Sequence, residues 1–273
     1  MSRSGRSGGS IGFRIAAAGA LALLLGFLVV PMIALFAETG PRELVSSLGE
    51  RGAAEALWLS LRTSLAALLL IVAVGTPAAW FVARRDFRGR ALVLTLIELP
   101  LVLPPAAAGI ALLAAFGPNG IAGGAIESLG IELVLQTAGV VVALTFVAAP
   151  FFVRGAIAAF EAIDANLLDA SRTLGAGEGR TFLRVGIPGA RAGLASGAAL
   201  AWGRALGEFG ATLMFAGSLE GRTQTAPLAI FEFLARDFDA ALALSAVLLV
   251  VSAFILLAVK LVGGRPEVVD ADR

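Results

Sequence analysis

The sequence lacks cysteine, histidine and tyrosine altogether. Without cysteine the chain forms no disulfide and no iron–sulfur cluster, and it performs no thiol chemistry. Without histidine it lacks the usual general base near neutral pH and the commonest metal ligand in proteins. These absences argue against a membrane-embedded enzyme such as a lipid-modifying transferase, because they leave only Glu98, Glu208 and a few arginines for all of its chemistry.

Charge is also scarce. Charged residues make up 15% of the chain and hydrophobic residues 58%, with a mean hydropathy of +0.91. A soluble domain of this size carries about 25% charged residues. The phosphate-binding pattern Gly-x-x-x-x-Gly-Lys-Ser/Thr is missing as well, and Lys260 is the only lysine, so any ATP hydrolysis must take place on another chain.

The apolar residues fall in six runs that are long enough to cross a bilayer, which predicts an all-α, polytopic membrane protein. The first run is too long for a signal-peptide core and lacks a cleavage site, so it is interpreted as span one. Residues 15–262 are expected to form one six-helix domain with a cytoplasmic loop at 161–190. Residues 1–14 and 263–273 are expected to be cytoplasmic tails, the first of them disordered. The predicted spans cover residues 15–36, 57–83, 91–116, 138–160, 193–217 and 240–262.

The arginines predict the orientation of the spans, because basic residues concentrate in cytoplasmic loops. The segment 117–137 carries Glu127 and Glu132 and no basic residue. Arginines instead cluster near the N-terminus, after span two and around the loop between spans four and five. Both termini and the loop at 161–190 are therefore expected in the cytoplasm. The arginines concerned are Arg3, Arg6, Arg14, Arg84, Arg85, Arg88, Arg90, Arg154, Arg172, Arg180, Arg184 and Arg191.

The loop between spans four and five begins with a predicted amphipathic helix over residues 161–174. Asp164 is the expected N-cap, and Gly175 and Gly177 are expected to stop the helix. Such a helix can rest on the membrane or insert into a groove of a partner. The alternative is a surface helix that only joins two spans. The apolar stripe consists of Ile163, Leu167, Ala170 and Leu174, at spacings of three and four.

The same loop carries a longer pattern: Asp169-Ala170-Ser171, three residues, Gly175, nine residues, then Val185-Gly186-Ile187-Pro188. This spacing resembles the Glu-Ala-Ala loop of permease subunits of ATP-binding-cassette (ABC) importers. The resemblance implies the type I ABC importer permease fold and a coupling helix that fits a cleft of a separate ATPase subunit. ATP and Mg²⁺ would bind to that ATPase, and no cofactor would bind to this chain. The implied coupling residues are Asp169, Ala170, Ser171, Gly175, Val185, Ile187 and Pro188.

Two spans contain features that are unusual for a membrane helix. Span three has Pro100, Pro104 and Pro105, which predict a broken segment lining a cavity, unless they only mark the start of the helix. In span five Arg204 and Glu208 are four residues apart and can pair on one face. That pair is either part of a gate or a structural lock between helices. The hypothetical translocation path or gate consists of Pro104, Pro105, Arg204, Gly207, Glu208, Gly210 and Thr212.

The stretches 99–105, 169–176, 204–212 and 221–228 narrow the resemblance to the molybdate permease subunits, close relatives of the sulfate and tungstate permeases. This implies a homodimer in the bacterial cytoplasmic membrane, served by an ATPase dimer and an extracytoplasmic oxyanion-binding protein, with no nucleic-acid partner. Sulfate and tungstate remain alternative substrates. An ion-gradient-driven secondary transporter is the alternative of another class, but it needs intramembrane acids and often an internal repeat. Only Glu98 and Glu208 are candidates, and no clear repeat is present.

Overall fold

Helices account for all the regular secondary structure in residues 8–40 and 52–262, the part of the chain that the computed structural model describes. The first helix begins at Gly8, inside the predicted tail 1–14. The remaining tail residues, 1–7 and 263–273, lie outside the described ranges. The helices are α1 Gly8–Ala37, α2 Ala53–Arg84, α3 Arg90–Val102, α4 Pro105–Phe116, α5 Gly123–Ser128, α6 Thr137–Glu161, α7 Ala165–Thr173, α8 Glu178–Thr181, α9 Ile187–Leu206, α10 Gly210–Ala216, α11 Ala226–Leu234 and α12 Phe238–Val262.

The predicted all-α membrane fold is confirmed, but the six predicted spans are not all single helices. Within the described residues, four helices are long and apolar enough to cross a membrane: most of α1, α2, α6 and most of α12. Predicted span three consists of α3 and α4, which meet at 117° and make a fifth crossing only if the pair counts as one span. Predicted span five consists of α9 and the short α10. Arginines and glycines in α9 lower its hydropathy, which is why it resembles an ordinary span least.

Helix α6 forms the centre of the bundle, between α2 and α9. The phenyl rings of Phe152 and Phe160 on α6 are fully buried, and the indole of Trp80 on α2 packs edge-on against Phe160 with ring centres 5.2 Å apart. Burial of such large aromatic rings supplies much of the favourable free energy of a helical core. By contrast, α3 has no buried residue and touches α6 along only one side. The bundle therefore has a tightly packed centre, and α3 is attached to it loosely.

Small residues let α6 and α9 approach backbone to backbone. A Cβ atom placed on Gly155 would lie 3.4 Å from the Cα of Gly197, and one placed on Gly193 would lie 2.4 Å from the Cβ of Ala159. The second distance is well inside van der Waals contact. Position 193 consequently accepts only glycine at this helix separation, as in other close helix pairs in membranes.

This contact predicts that Gly193→Ala lowers the free energy of unfolding by about 1–3 kcal/mol, because the added methyl group forces the two helices apart. Gly203→Ala on the same helix is the matched control, since its nearest neighbour would be 3.7 Å away. The control is expected to be neutral or slightly stabilising, because alanine favours the helix. Thermal unfolding of both purified variants in detergent measures the difference. Equal midpoints would contradict the close contact at position 193.

Candidate coupling segment and translocation path

Helix α7 lies at the end of the bundle where α2 ends, α3 begins and α6 ends; this end is called the α7 end below. The helix begins at Ala165, later than the predicted residue 161, because Glu161 still belongs to α6. Its N-cap is Asp164, as predicted, and the carboxylate of Asp164 accepts a hydrogen bond of 2.9 Å from the backbone N–H of Asn166. The predicted apolar stripe is divided between two sides. Ile163, which precedes α7, is buried against the bundle, whereas Leu167 and Leu174 are 58% and 87% exposed. Ala170, between them on the same helical face, is exposed as well.

The exposed face of α7 is therefore a small apolar surface on an otherwise polar segment. Asp169 borders this surface and pairs with Arg172 at 3.0 Å, with both side chains largely exposed. An exposed pair of this kind adds little stability, so its charges remain available to a partner. The predicted residues Asp169 and Ala170 thus lie where another protein can reach them.

Residues 164–181, which contain α7 and α8 and are called the coupling segment below, are held to the bundle through polar contacts. The hydroxyls of Ser171 and Thr181 are hydrogen-bonded at 3.0 Å. The guanidinium of Arg84 donates to the backbone carbonyls of Phe160 and Ile163, at the end of α6 and just before α7. Arg85 pairs with Glu178 on α8 at 2.9 Å. Sequence reasoning used these arginines only for orientation, because nothing in the sequence shows that residues some 80 positions apart meet.

Gly175 provides the turn after α7. Its φ angle is +81°, a left-handed conformation that residues with a side chain rarely adopt. Its N–H donates to the carbonyl of Arg172 at 2.9 Å. Gly177 was predicted to stop the same helix, but it instead precedes α8 as the N-cap residue. The turn therefore depends on Gly175.

Val185, Ile187 and Pro188 lie in a helical stretch that runs without a gap from Glu178 to Leu206. Residues Phe182–Gly186 form a π turn, in which the N–H of Ile187 donates to the carbonyl of Phe182. Pro188 occupies the first turn of the following α-helix, α9. Because proline has no N–H, the wider turn just before it is a common way to relieve the missing hydrogen bond. Val185 packs partly against the core, and Pro188 is exposed.

The break in span three is present, as the prolines predicted. Pro104 is extended, with a ψ angle of 138°, and Pro105 is the first residue of α4. Pro100 lies inside α3. Both interpretations of the prolines are partly realised, because they interrupt one span and also open a new helix.

Span five is broken at Gly207–Phe209, between α9 and α10. The carboxylate of Glu208 is 1% exposed; one of its oxygens lies 2.5 Å from a terminal nitrogen of Arg204, and the other accepts a hydrogen bond of 2.7 Å from the N–H of Ala211. Glu208 therefore neutralises a partly buried cation and satisfies the free N–H at the start of α10. The hydroxyl of Thr212 is buried without a hydrogen-bond partner in the described residues.

The two breaks touch each other. A Cβ atom on Gly210 would lie 2.7 Å from the Cβ of Pro105, and α4 and α10 pack against each other and α6 through Ala108, Ala211 and Phe215. The structure thus brings Pro105 of span three and Gly210 of span five into contact, at a place separate from the coupling residues at the α7 end. Sequence reasoning missed two ion pairs that join α3 to α6: Arg90 with Glu161 at 2.5 Å, and Glu98 with Arg154 at 3.2 Å.

Broken apolar spans around a buried ion pair, with a separate exposed helix at one end, define a helical membrane protein of the transport class. The family described as "Binding-protein-dependent transport system inner membrane component" matches residues 75–265, and the chain belongs to this family. It is accordingly a multi-pass protein of the inner membrane.

Relatives and solved structures agree with this assignment. The chain is 42% identical to the molybdenum transport system permease protein ModB of Mycobacterium tuberculosis, over 85% of this chain and 88% of that protein. It is 36% identical to the sulfate transport system permease protein CysW of Synechocystis, over 77% of each. The fold matches a chain of the bacterial ABC transporter that imports the acidic polysaccharide alginate, with a TM-score of 0.73, 18% identity and 92% and 94% of the two chains covered. That likeness supports the predicted ABC importer permease fold.

Proposed function

We propose that this chain is the permease subunit of an ABC importer that carries molybdate into the cytoplasm. The observation that carries the proposal is the 42% identity to a molybdenum permease over 85% of the chain. The fold and the ion-paired break at Arg204–Glu208 are compatible with it. Sulfate is the second candidate, because the sulfate permease of Synechocystis is 36% identical. Both ions are tetrahedral dianions that make the same demands on hydrogen-bond donors.

In this proposal the apolar face of α7, formed by Leu167, Ala170 and Leu174, docks in a cleft of a separate ATPase subunit, which binds ATP and Mg²⁺. A second copy of this chain completes the pore around a two-fold axis, and an extracytoplasmic binding protein delivers the anion. The exposed apolar surface supports docking, because it has no covering within the described residues. The α7 end and both termini then face the cytoplasm, as the arginines predict.

Transport requires two arrangements of the bundle, one open to each side of the membrane. The breaks at Pro104 and at Gly207–Phe209 supply places where α4 and α10 can change angle relative to α3 and α9. ATP-driven movement of α7 reaches these breaks through α6 and α9, the long helices that precede and follow this segment in the chain. Pro104, Pro105, Gly207, Gly210 and Thr212 are assigned to the moving path on this basis.

Competition for uptake tests the substrate. Cells that express this chain with its ATPase and binding protein are expected to accumulate labelled molybdate. Excess tungstate is expected to block this accumulation, whereas excess sulfate is not. Inhibition by sulfate would move the assignment to sulfate. Failure to take up any of the three anions in an ATP-dependent manner would reject the oxyanion proposal and leave the family assignment intact. Cells that lack only the ATPase are the control for ATP dependence.

A further inference from the structure

An ion pair between α3 and α6 lies on an exposed side of the bundle and has no part in the path described so far. Nε of Arg154 is 3.2 Å from a carboxylate oxygen of Glu98, and the two side chains are 58% and 41% exposed. Arg154 makes no other hydrogen bond or ion pair in residues 8–40 and 52–262, so both terminal amino groups of its guanidinium are free there. The face of α6 that carries Arg154 is exposed, and so is most of α3 beside it.

This pair lies well away from the α7 end of the bundle, where charged residues would meet the water outside the membrane. Arg154 is seven residues before the end of α6 at Glu161, and Glu98 is eight residues after the start of α3 at Arg90. At 1.5 Å per residue, the pair lies about 10–12 Å inside the bundle from the α7 end. A second pair, Arg90 with Glu161, already occupies the end itself.

A charged pair at this depth is costly against lipid, and such residues normally face a water-filled cavity or the interior of the protein. The short side chain of Glu98 cannot extend to the membrane surface as a lysine or arginine can. Because α3 has no buried residue, protein does not enclose the pair either. In the two-fold pore of the proposed function, a water-filled path along this exposed side solvates the pair.

We propose that Arg154 contacts the transported anion in the half of the translocation path next to the α7 end, with Glu98 as its positioning residue. This rests on the proposed function and adds a binding residue to it. The free terminal nitrogens present the paired N–H groups that bind two oxygens of a tetrahedral oxyanion. Glu98 orients the guanidinium and offsets its charge, so the dianion is held weakly and can leave, as conduction requires.

The level of this pair along the bundle can be compared with that of Arg204 in span five. Gly155 lies opposite Gly197 across the α6–α9 contact, which places Arg204, seven residues further on, near the level of Ala148. Arg154 is then about 9 Å nearer the α7 end than Arg204. The two arginine–glutamate pairs therefore lie at different levels along the bundle, with Arg154–Glu98 nearer the α7 end.

Cysteine labelling tests where Arg154 lies, because the chain has no cysteine of its own. Inside-out vesicles are treated with an anionic, membrane-impermeant methanethiosulfonate. Two variants are labelled: Arg154→Cys, and Ala158→Cys, which lies one turn away on the same face and keeps the ion pair intact. Both are expected to react at a rate close to that of Leu174→Cys, which lies in the exposed coupling segment. The matched control is Phe254→Cys, which is 72% exposed and eight residues before the end of α12. Reaction at 154 and 158 no faster than at 254 would place the pair outside the water path and overturn the proposal.

Uptake by charge variants tests the contact with the anion. Arg154→Gln is expected to reduce the amount of anion taken up per ATP hydrolysed about tenfold. Glu98→Gln is expected to lower the substrate concentration at which uptake is half-maximal. If the pair only holds α3 to α6, the double variant Arg154→Gln/Glu98→Gln should recover uptake. Recovery, or normal uptake by Arg154→Gln alone, would overturn the proposal. Labelling does not depend on which anion is carried, so a wrong substrate would leave its result unchanged.

Discussion

Gly175→Pro is expected to reduce uptake to the level of cells that lack this chain, without lowering its amount in the membrane. Proline fixes φ near −65°, whereas the backbone at this position has a φ of +81°. Proline also removes the N–H that donates to Arg172. The turn after α7 must then rearrange, and Leu174 beside it moves away from the docking face. The spans are untouched, so insertion should continue.

Gly177→Pro is the matched control, because the φ angle of Gly177 is −67° and a Cβ atom there has open space. Labelled-molybdate uptake and immunoblots of the membrane fraction measure both variants. Normal uptake by Gly175→Pro would contradict the role of this turn in coupling. Equal loss in Gly177→Pro would show that any proline in the loop is harmful, and the argument from φ would fail.

Glu208→Ala is expected to lower the free energy of unfolding by about 3 kcal/mol, because it leaves the partly buried guanidinium of Arg204 without its counter-ion. It also leaves the N–H of Ala211 unsatisfied at the start of α10. Arg236→Ala is the comparison, since it breaks a pair of the same i,i+4 spacing whose arginine side chain is 71% exposed. That change should cost less than about 1 kcal/mol. Thermal unfolding in detergent measures both.

A double variant separates a structural lock from a gate, the two roles that the sequence left open for this pair. Arg204→Met with Glu208→Gln removes both charges and keeps an acceptor for Ala211. Its stability should return towards that of the unmodified protein. Normal uptake by this variant would assign the pair to structure alone, whereas a stable protein that does not transport would assign it to the gate.

The sequence predicted those features that depend on local chemistry. The N-cap at Asp164, the turn at Gly175 and the break at Pro104 follow from backbone preferences of single residues, and each is present. Pairing of Arg204 with Glu208 follows from helical spacing, and it is also present.

The features that the sequence did not predict depend on contacts between distant segments. Nothing local shows that Arg84 reaches the carbonyls of Phe160 and Ile163, or that Glu98 reaches Arg154. The split of the apolar stripe on α7 has the same cause, because only the packed bundle decides which side of the segment is covered. Span five was predicted as one helix because its hydrophobic residues continue past Gly207, although the helix is interrupted at Gly207–Phe209.

The backbone contact between α6 and α9 has a mechanical consequence. Where Gly193 meets Ala159 and Gly155 meets Gly197, no layer of flexible side chains separates the two helices. A soft layer would absorb a small displacement, but two backbones in contact cannot. Helix α9 extends about 25 Å from Ile187 to Arg204, and at residues 193–197 it is held directly against the backbone of α6. A shift of one or two ångströms applied at the α7 end is therefore passed between α6 and α9 at this contact instead of being absorbed by side chains.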